Sequence, residues 1–221
     1  MRWTEQLFSL LNVQTVESQG DLTARATIRN SALRLFAERG PDAVTVRQIA
    51  ADARVSPALV LHHFGSKAGL REAVDSFAAN SFDAIMEAGG RDELAQDLAH
   101  GNSSTLAAAF AQVFPPDSPL PAYLRRLLLS GDPAGTAVFR RWLDGTEQLL
   151  AALADAGLAT PTDAPRLRAA FLLANDLAVV LLRDPLRETL GFDPLSPEGI
   201  QRWGVEVTAV YTQGVWKGEG R

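Results

Sequence analysis

The sequence predicts an all-α chain, with a small N-terminal helical unit joined by a long helix to a larger C-terminal helical body, and three observations carry that prediction. Apolar residues after Thr23 recur at helical spacing with little interruption. No stretch alternates apolar and polar residues between hairpin signals. Hydroxyl caps, first-turn prolines and terminating glycines divide the rest into helix-sized pieces.

The elements follow in order. Asp21 or Thr23 can cap a first helix whose Ile28, Ala32, Leu35 and Phe36 share one face, and Gly40-Pro41 stops it. Ahead of it, 14–20 reads as a linker, while Trp3, Leu7, Phe8, Leu10 and Leu11 suggest a short amphipathic segment. Thr45-Val46-Arg47-Gln48 has capping-box spacing and opens a second helix to about Asp52, burying Val46, Ile49 and Ala50. After Ala53-Arg54-Val55, Ser56-Pro57 supplies a hydroxyl cap and a first-turn proline for a third helix ending near Phe64-Gly65. Ser66 caps a fourth over 67–88, with Leu70, Val74, Phe77 and Ile85 apolar and Gly89-Gly90 at its end. Further helices are expected at 92–99, 103–113, 121–129, 134–156, 165–183 and 197–216. The division is an extension at 1–20, a helix-turn-helix unit at 21–66 and a body at 67–221.

Composition narrows the chemistry. The 221 residues are 47% hydrophobic and 21% charged, ordinary globular usage with ample material for a core. Without cysteine, and with only His62, His63 and His100, the chain offers no disulfide framework, thiol nucleophile or cysteine-ligated zinc. His62 and His63 are neighbours on a helix, point about 100° apart and cannot easily chelate together, so no metal is expected. No cofactor is expected either. The first residues do not read as a secretory signal, and the most apolar stretch, 169–182, is interrupted by Asn175 and Asp176, so the chain is expected in the cytoplasm and off the membrane.

Charge is unevenly placed. The net charge is −5, yet 23–70 carries seven cations (Arg25, Arg29, Arg34, Arg39, Arg47, Arg54, Lys67) against three anions (Glu38, Asp42, Asp52). That segment is therefore +4 and the remainder −9. A basic module on an acidic body suits a protein in which only the module approaches phosphates.

Two short helices joined by a three-residue turn can place the second in the major groove while the first crosses the backbone, although many small bundles contain such a pair without touching DNA. The string TARATIRNSALRLFAERGPDAVTVRQIAADARVSPALVLHHFGSKAGLREAV, with its LFAERG, TVRQIA and HHF-x-SK-x-x-L segments, resembles the DNA-binding domain of the TetR family. The resemblance covers about a quarter of the chain. It implies that Pro57, Ala58, Leu59 and His62 face base edges and that Thr45, His63 and Lys67 lie where phosphates are touched. Pro57, Ala58 and Leu59 offer no bidentate hydrogen-bonding group, so contact with thymine methyls is expected there, and Arg47 is the candidate for guanine or else an exposed cation. Thr45, Ser56 and Ser66 can also act as structural caps, and Lys67 starts a helix whose amides favour anions. Two positions depart from the family pattern. Leu61 stands where a phosphate-binding tyrosine is usual, removing a hydroxyl donor, and Arg54 stands where the inter-helix turn usually has glycine, adding strain or a cation.

The resemblance further implies a homodimer on a palindromic double-stranded operator and a C-terminal domain that binds a small effector. The last two long helices, 165–183 and 197–216, would form the interface through Leu172, Val179, Leu182, Trp203, Val207 and Val210; a central core helix in a monomer is the other reading of 165–183. Candidate cavity walls are Phe110, Phe114, Tyr123, Phe139, Trp142 and Phe171, the same aromatics that would serve a plain core. Asn175 and Asp176 interrupt an apolar helix and need partners: a cross-dimer hydrogen bond, a pairing with Arg125, Arg126, Arg140 or Arg141, or a ligand in the cavity. Effector binding would shift the helix at 67–88 and change the separation of the two recognition helices. The expectation is a ligand-responsive regulator, a repressor rather than an enzyme, with no catalytic residue. The alternatives are a helical interaction protein without operator binding and an α-helical enzyme using a histidine and a carboxylate, for which the chain has no phosphate-cradling loop or nucleophile elbow.

Overall fold

In the computed structural model, residues 2–81, 83–85, 108–109, 112–115 and 117–214 are described, and no strand occurs among them. The helices expected at 92–99 and over most of 103–113 lie outside these residues, as do Phe110 and His100. The chain forms two compact units, Met1–Ser76 and Phe77–Arg221.

In the first unit, α1 runs from Arg2 to Arg39. It does not start at Asp21 or Thr23. The Thr23 carbonyl instead accepts the Thr27 hydroxyl at 2.9 Å, so the turn containing both is interior helix. No proline precedes Pro41, and Gly20 alone costs only about 1 kcal/mol of helix propensity, too little to force a break. Gly40 ends α1 with φ 82°, its amide donating to the Phe36 carbonyl at 2.9 Å. Ile28, Ala32, Leu35 and Phe36 are buried as their spacing predicts. Arg34 joins α1 to the following helix, α2 (Val46–Ala53), by pairing with Asp52 as well as with Glu38 at 3.0 Å. Helix α3 (Pro57–Phe64) and helix α4 (Lys67–Ala79) complete the unit's elements, α4 continuing into the second unit. Leu70 and Val74 of α4 are fully buried and belong to the first unit.

The predicted helix at 67–88 is interrupted. A turn at Asn80 separates α4 from helical residues 81 and 83–85. The last carbonyls of α4 accept from side chains: the Ser81 hydroxyl donates to Ala78 at 2.7 Å and the Trp142 indole N–H to Ala79 at 2.8 Å.

The second unit contains α5 (Leu120–Leu129), α6 (Pro133–Asp155), α7 (Pro165–Leu181), α8 (Arg183–Leu190) and α9 (Pro197–Gln213). Helices α5, α6 and α7 pack on one another. Leu120, Tyr123, Leu124 and Leu127 form one apolar stripe, Val138 and Trp142 a second, and Ala169, Leu173, Leu177 and Val180 a third. Helix α8 is absent from the sequence expectation, which ends the preceding helix at 183. Pro185 in its first turn and Gly191 at its end were the available signals. Arg183 holds the connection to α9 by donating from Nε and Nη2 to Asp193 at 3.0 and 2.6 Å, which depresses the Asp193 carboxyl pKa. Among the described residues no helix is long and apolar enough to cross a membrane.

Candidate nucleic-acid interface

The recognition pair is built from local hydrogen bonds. At the start of α2 the Thr45 Oγ1 accepts from the Gln48 amide at 3.3 Å and Gln48 Oε1 accepts from the Thr45 amide at 2.8 Å, the reciprocal box its spacing predicts. At the other end Arg54 takes φ 57°, ψ 40°. Its amide donates to Ala51 and that of Val55 to Ala50, at 3.2 and 2.9 Å. This Schellman arrangement closes α2 and sets the turn. Ser56 then caps α3, its Oγ accepting from the Leu59 amide at 3.1 Å, with Pro57 in the first turn.

Burial orients α3. Val60 is its buried residue, so Pro57, Ala58, Leu61 and His62 project outward and Leu59 is half-buried. Leu61 is 45% exposed, a large apolar side chain held in solvent. Thr45, Arg47, Arg54 and Ser56 are exposed as well, and among the described residues neither Arg47 nor Arg54 has a carboxylate partner. Lys67 is half-buried and its Nζ donates to the Asp42 carbonyl at 3.4 Å.

His63 departs from its expected place. Its side chain is only 3% exposed, with Nε2 3.6 Å from an Asp21 carboxylate oxygen of α1, so it packs within the unit instead of offering itself to a phosphate. Three-residue spacing from Val60 already puts it near the buried face.

Gly69 was not singled out by its sequence context, yet it fixes how α4 leaves α3. A Cβ there would lie 2.3 Å from the Phe64 carbonyl oxygen, so only glycine lets the first turn of α4 approach the end of α3. The Ser66 hydroxyl accepts from the Gly69 amide at 3.1 Å at the same junction.

In the second unit, the proposed cavity and interface residues sort differently from the sequence expectation. Phe114, Tyr123 and Trp142 are buried and Phe139 half-buried, whereas Phe171 is 67% exposed and lines no interior wall. Val179 is 7% exposed and packs with Val180 and Leu195, against which Trp203 also rests; both face inward where an interface role was expected. The outward face of α7 carries Leu167, Phe171, Ala174 and Asn175, with Leu182 just beyond it, while Val205, Val210 and Tyr211 are exposed on α9. Leu172 and Val207 are half-buried.

Asn175 donates from Nδ2 to the Tyr211 hydroxyl at 2.9 Å, joining α7 to α9. Asp176 keeps part of its surface in solvent but is crowded by protein, and this desolvation pushes its pKa up to about 6. Of the four arginines proposed for these two residues, Arg125 pairs with Asp184 at 2.9 Å and Arg141 with Asp83. An open groove of about 460 Å³ on α6 is lined by Asp83, Arg140, Arg141, Asp144 and Gln148. Among the described residues no group of acidic or histidine side chains is arranged to hold a metal.

The family model "Bacterial regulatory proteins, tetR family" matches residues 28–74, and "Tetracyclin repressor-like, C-terminal domain" matches residues 116–216. The HTH-type transcriptional regulatory protein RaaS of Mycobacterium tuberculosis is 39% identical over 152 residues, 69% of this chain and 67% of that protein. An HTH-type transcriptional repressor of the same species is 32% identical over 90 residues, 41% of this chain and 48% of that protein. Among solved structures, the regulator FadR of Bacillus subtilis in complex with stearoyl-CoA superposes with a TM-score of 0.64 at 15% identity, covering 86% of this chain and 99% of that one. SmeT, the repressor of a Stenotrophomonas maltophilia multidrug efflux pump, gives 0.59 at 21% identity, covering 89% and 94%. At these identities the two structures establish the shared fold.

Proposed function

Because the chain belongs to the tetR family of bacterial regulatory proteins, we propose that it acts as a homodimeric repressor whose N-terminal unit binds a palindromic operator and whose body releases DNA when a small molecule binds. The observation that carries the DNA-binding half is the presentation of α3. It is capped at Ser56, anchored by Val60 and turned so that Pro57, Ala58, Leu61 and His62 stand free. Such a face suits thymine methyls and groove shape better than hydrogen-bonded readout, with Arg47 able to reach a guanine edge and Arg54 a phosphate. One eight-residue helix spans few base pairs, so a second copy on a symmetric half-site supplies the remaining affinity.

The division of labour we assign gives residues 21–66 the DNA contacts and 67–221 sensing and dimerisation. The sensing half is supported by the solved relatives named for complexes with small molecules, stearoyl-CoA on FadR and triclosan on SmeT. In this chain Phe114, Tyr123, Phe139 and Trp142 would supply apolar walls for such a guest.

Titration onto random duplex DNA at 50 and 200 mM salt tests the reading, followed by selection from a random pool. A repressor that neutralises several phosphates loses affinity steeply between the two salts, and the selected sequences form a palindrome. Salt-independent or absent binding would reject it.

A further inference from the structure

The groove of about 460 Å³ on α6 follows one stripe of that helix. Ala137 lies one turn before Arg140 and Arg141, and Asp144 one turn after them, so both arginines border the same floor. Ala137 and Gly145 keep that floor low, because neither has a side chain of any length. Asp83 and Gln148 supply the remaining polar groups.

The charges around the groove are unequally matched. Helix spacing would offer Asp144 to Arg140, but Arg166 of α7 takes Asp144 at 2.9 Å and Glu147 at 2.8 Å. Arg140 is exposed and among the described residues has no carboxylate partner. Arg141 donates from Nη2 to an Asp83 carboxylate oxygen, one of the five N–H donors a guanidinium carries. Asp83 thus shows which group fits beside Arg141. A second carboxylate entering over the floor meets Arg140 on one border and the other donors of Arg141 on the next, and charge-assisted hydrogen bonds to both hold it. Asp83 and Asp144 limit its charge, since a dianion such as a phosphate monoester is repelled by these carboxylates more than a monoanion is. The low floor leaves room for a short apolar body, and the Gln148 amide can donate to or accept from a neutral polar group.

We propose that this groove binds a small organic monocarboxylate, held between Arg140 and Arg141 in competition with Asp83. Occupation draws Arg141 away from Asp83 and so releases the helical residues 83–85 from α6. None of the aromatic walls at Phe114, Tyr123, Phe139 and Trp142 lines the groove, so the site is separate from that apolar interior. Its consequence rests on the ligand-responsive reading: a charged effector gains its own route to the segment that follows α4.

Benzoate, with benzamide as its uncharged counterpart, tests the site by calorimetric titration of the full-length protein at neutral pH and matched ionic strength. Wild type should bind benzoate and not benzamide. Arg140→Gln should bind benzoate about tenfold more weakly, through loss of a charge-assisted contact. Asp83→Asn should bind it more tightly, by up to about fivefold, because an exposed competing ion pair has gone. Arg202→Gln, on α9, should keep the wild-type affinity. Benzoate should also speed amide hydrogen exchange at 83–85 in wild type but not in Asp83→Asn, where the pair is already absent. No binding of benzoate by wild type overturns the proposal. Equal binding of benzamide, or an affinity unmoved by Arg140→Gln, puts the guest in an apolar cavity and overturns it too. An affinity no higher in Asp83→Asn overturns the competition with Asp83. These measurements use no DNA, so an absence of salt-sensitive DNA binding, which rejects the operator reading, is a separate result.

Discussion

Arg54 occupies a left-handed conformation, φ 57° and ψ 40°, which among the described residues no other non-glycine shares. An L-residue there costs about 1–2 kcal/mol, whereas glycine avoids that strain but gives up about 0.5–1 kcal/mol of chain entropy. Arg54→Gly should therefore raise stability by up to about 1 kcal/mol, seen as a few degrees in the melting temperature. The same substitution should weaken binding to random duplex DNA, because an exposed cation beside the recognition helix is removed. A variant both less stable and equally tight on DNA would contradict this account. The strained turn was legible in the sequence because Arg54 departs from a glycine position in a local motif. The inward course of His63 was harder to see: its contact is Asp21, forty-two residues earlier, in a stretch read as the start of a helix when it is the middle of one.

At the scale of elements, helix α6 grips the end of α4. The Trp142 indole donates to the Ala79 carbonyl at 2.8 Å from a buried ring, and the neighbouring Arg141 pairs with Asp83 one turn beyond. The exposed ion pair contributes little by itself, at most about 1 kcal/mol. The buried indole bond is the stronger hold, since breaking it leaves a desolvated carbonyl, for about 1–2 kcal/mol. Trp142→Phe keeps the ring's bulk and should speed amide hydrogen exchange around 77–85 while leaving 46–64 unchanged; uniform acceleration would mean general destabilisation. Neither the break at Asn80 nor this grip could be read from periodicity, because both depend on side chains donating to carbonyls that an uninterrupted helix would satisfy itself. The caps at Thr45, Ser56 and Ser66 could be read, because donor and acceptor lie within three residues. Helix α7 marks the limit between the two. Apolar on nearly all sides, it offers no periodic cue to separate Val179, which packs inside, from Phe171, which does not.

For the whole molecule, that unpaired face decides how two copies would meet. Leu167, Phe171, Ala174 and Asn175 form an outward stripe on α7, continued by Leu182, and Val205, Val210 and Tyr211 are exposed on α9, joined to it through the Asn175–Tyr211 bond. Leaving such large apolar side chains in water is costly, and a second copy can bury them about a two-fold axis. Phe171→Glu should halve the mass in solution while the monomer stays folded, since the site is two-thirds exposed before association. Val179→Asp should instead unfold the protein, because it buries a charge in the core formed with Val180 and Leu195. Asp176 adds a pH dependence with a definite sign. Asp176 is exposed beside Asn175 on α7, crowding by the protein raises its pKa to about 6, and covering it in a dimer would disfavour the charged form further. Protonation below about pH 6 removes that cost, so association should tighten as pH falls from 7.5 to 5.5 and weaken as it rises again. Asp176→Asn should flatten this profile in sedimentation or light scattering at both pH values. If Phe171→Glu leaves the mass unchanged, the two copies meet through another surface.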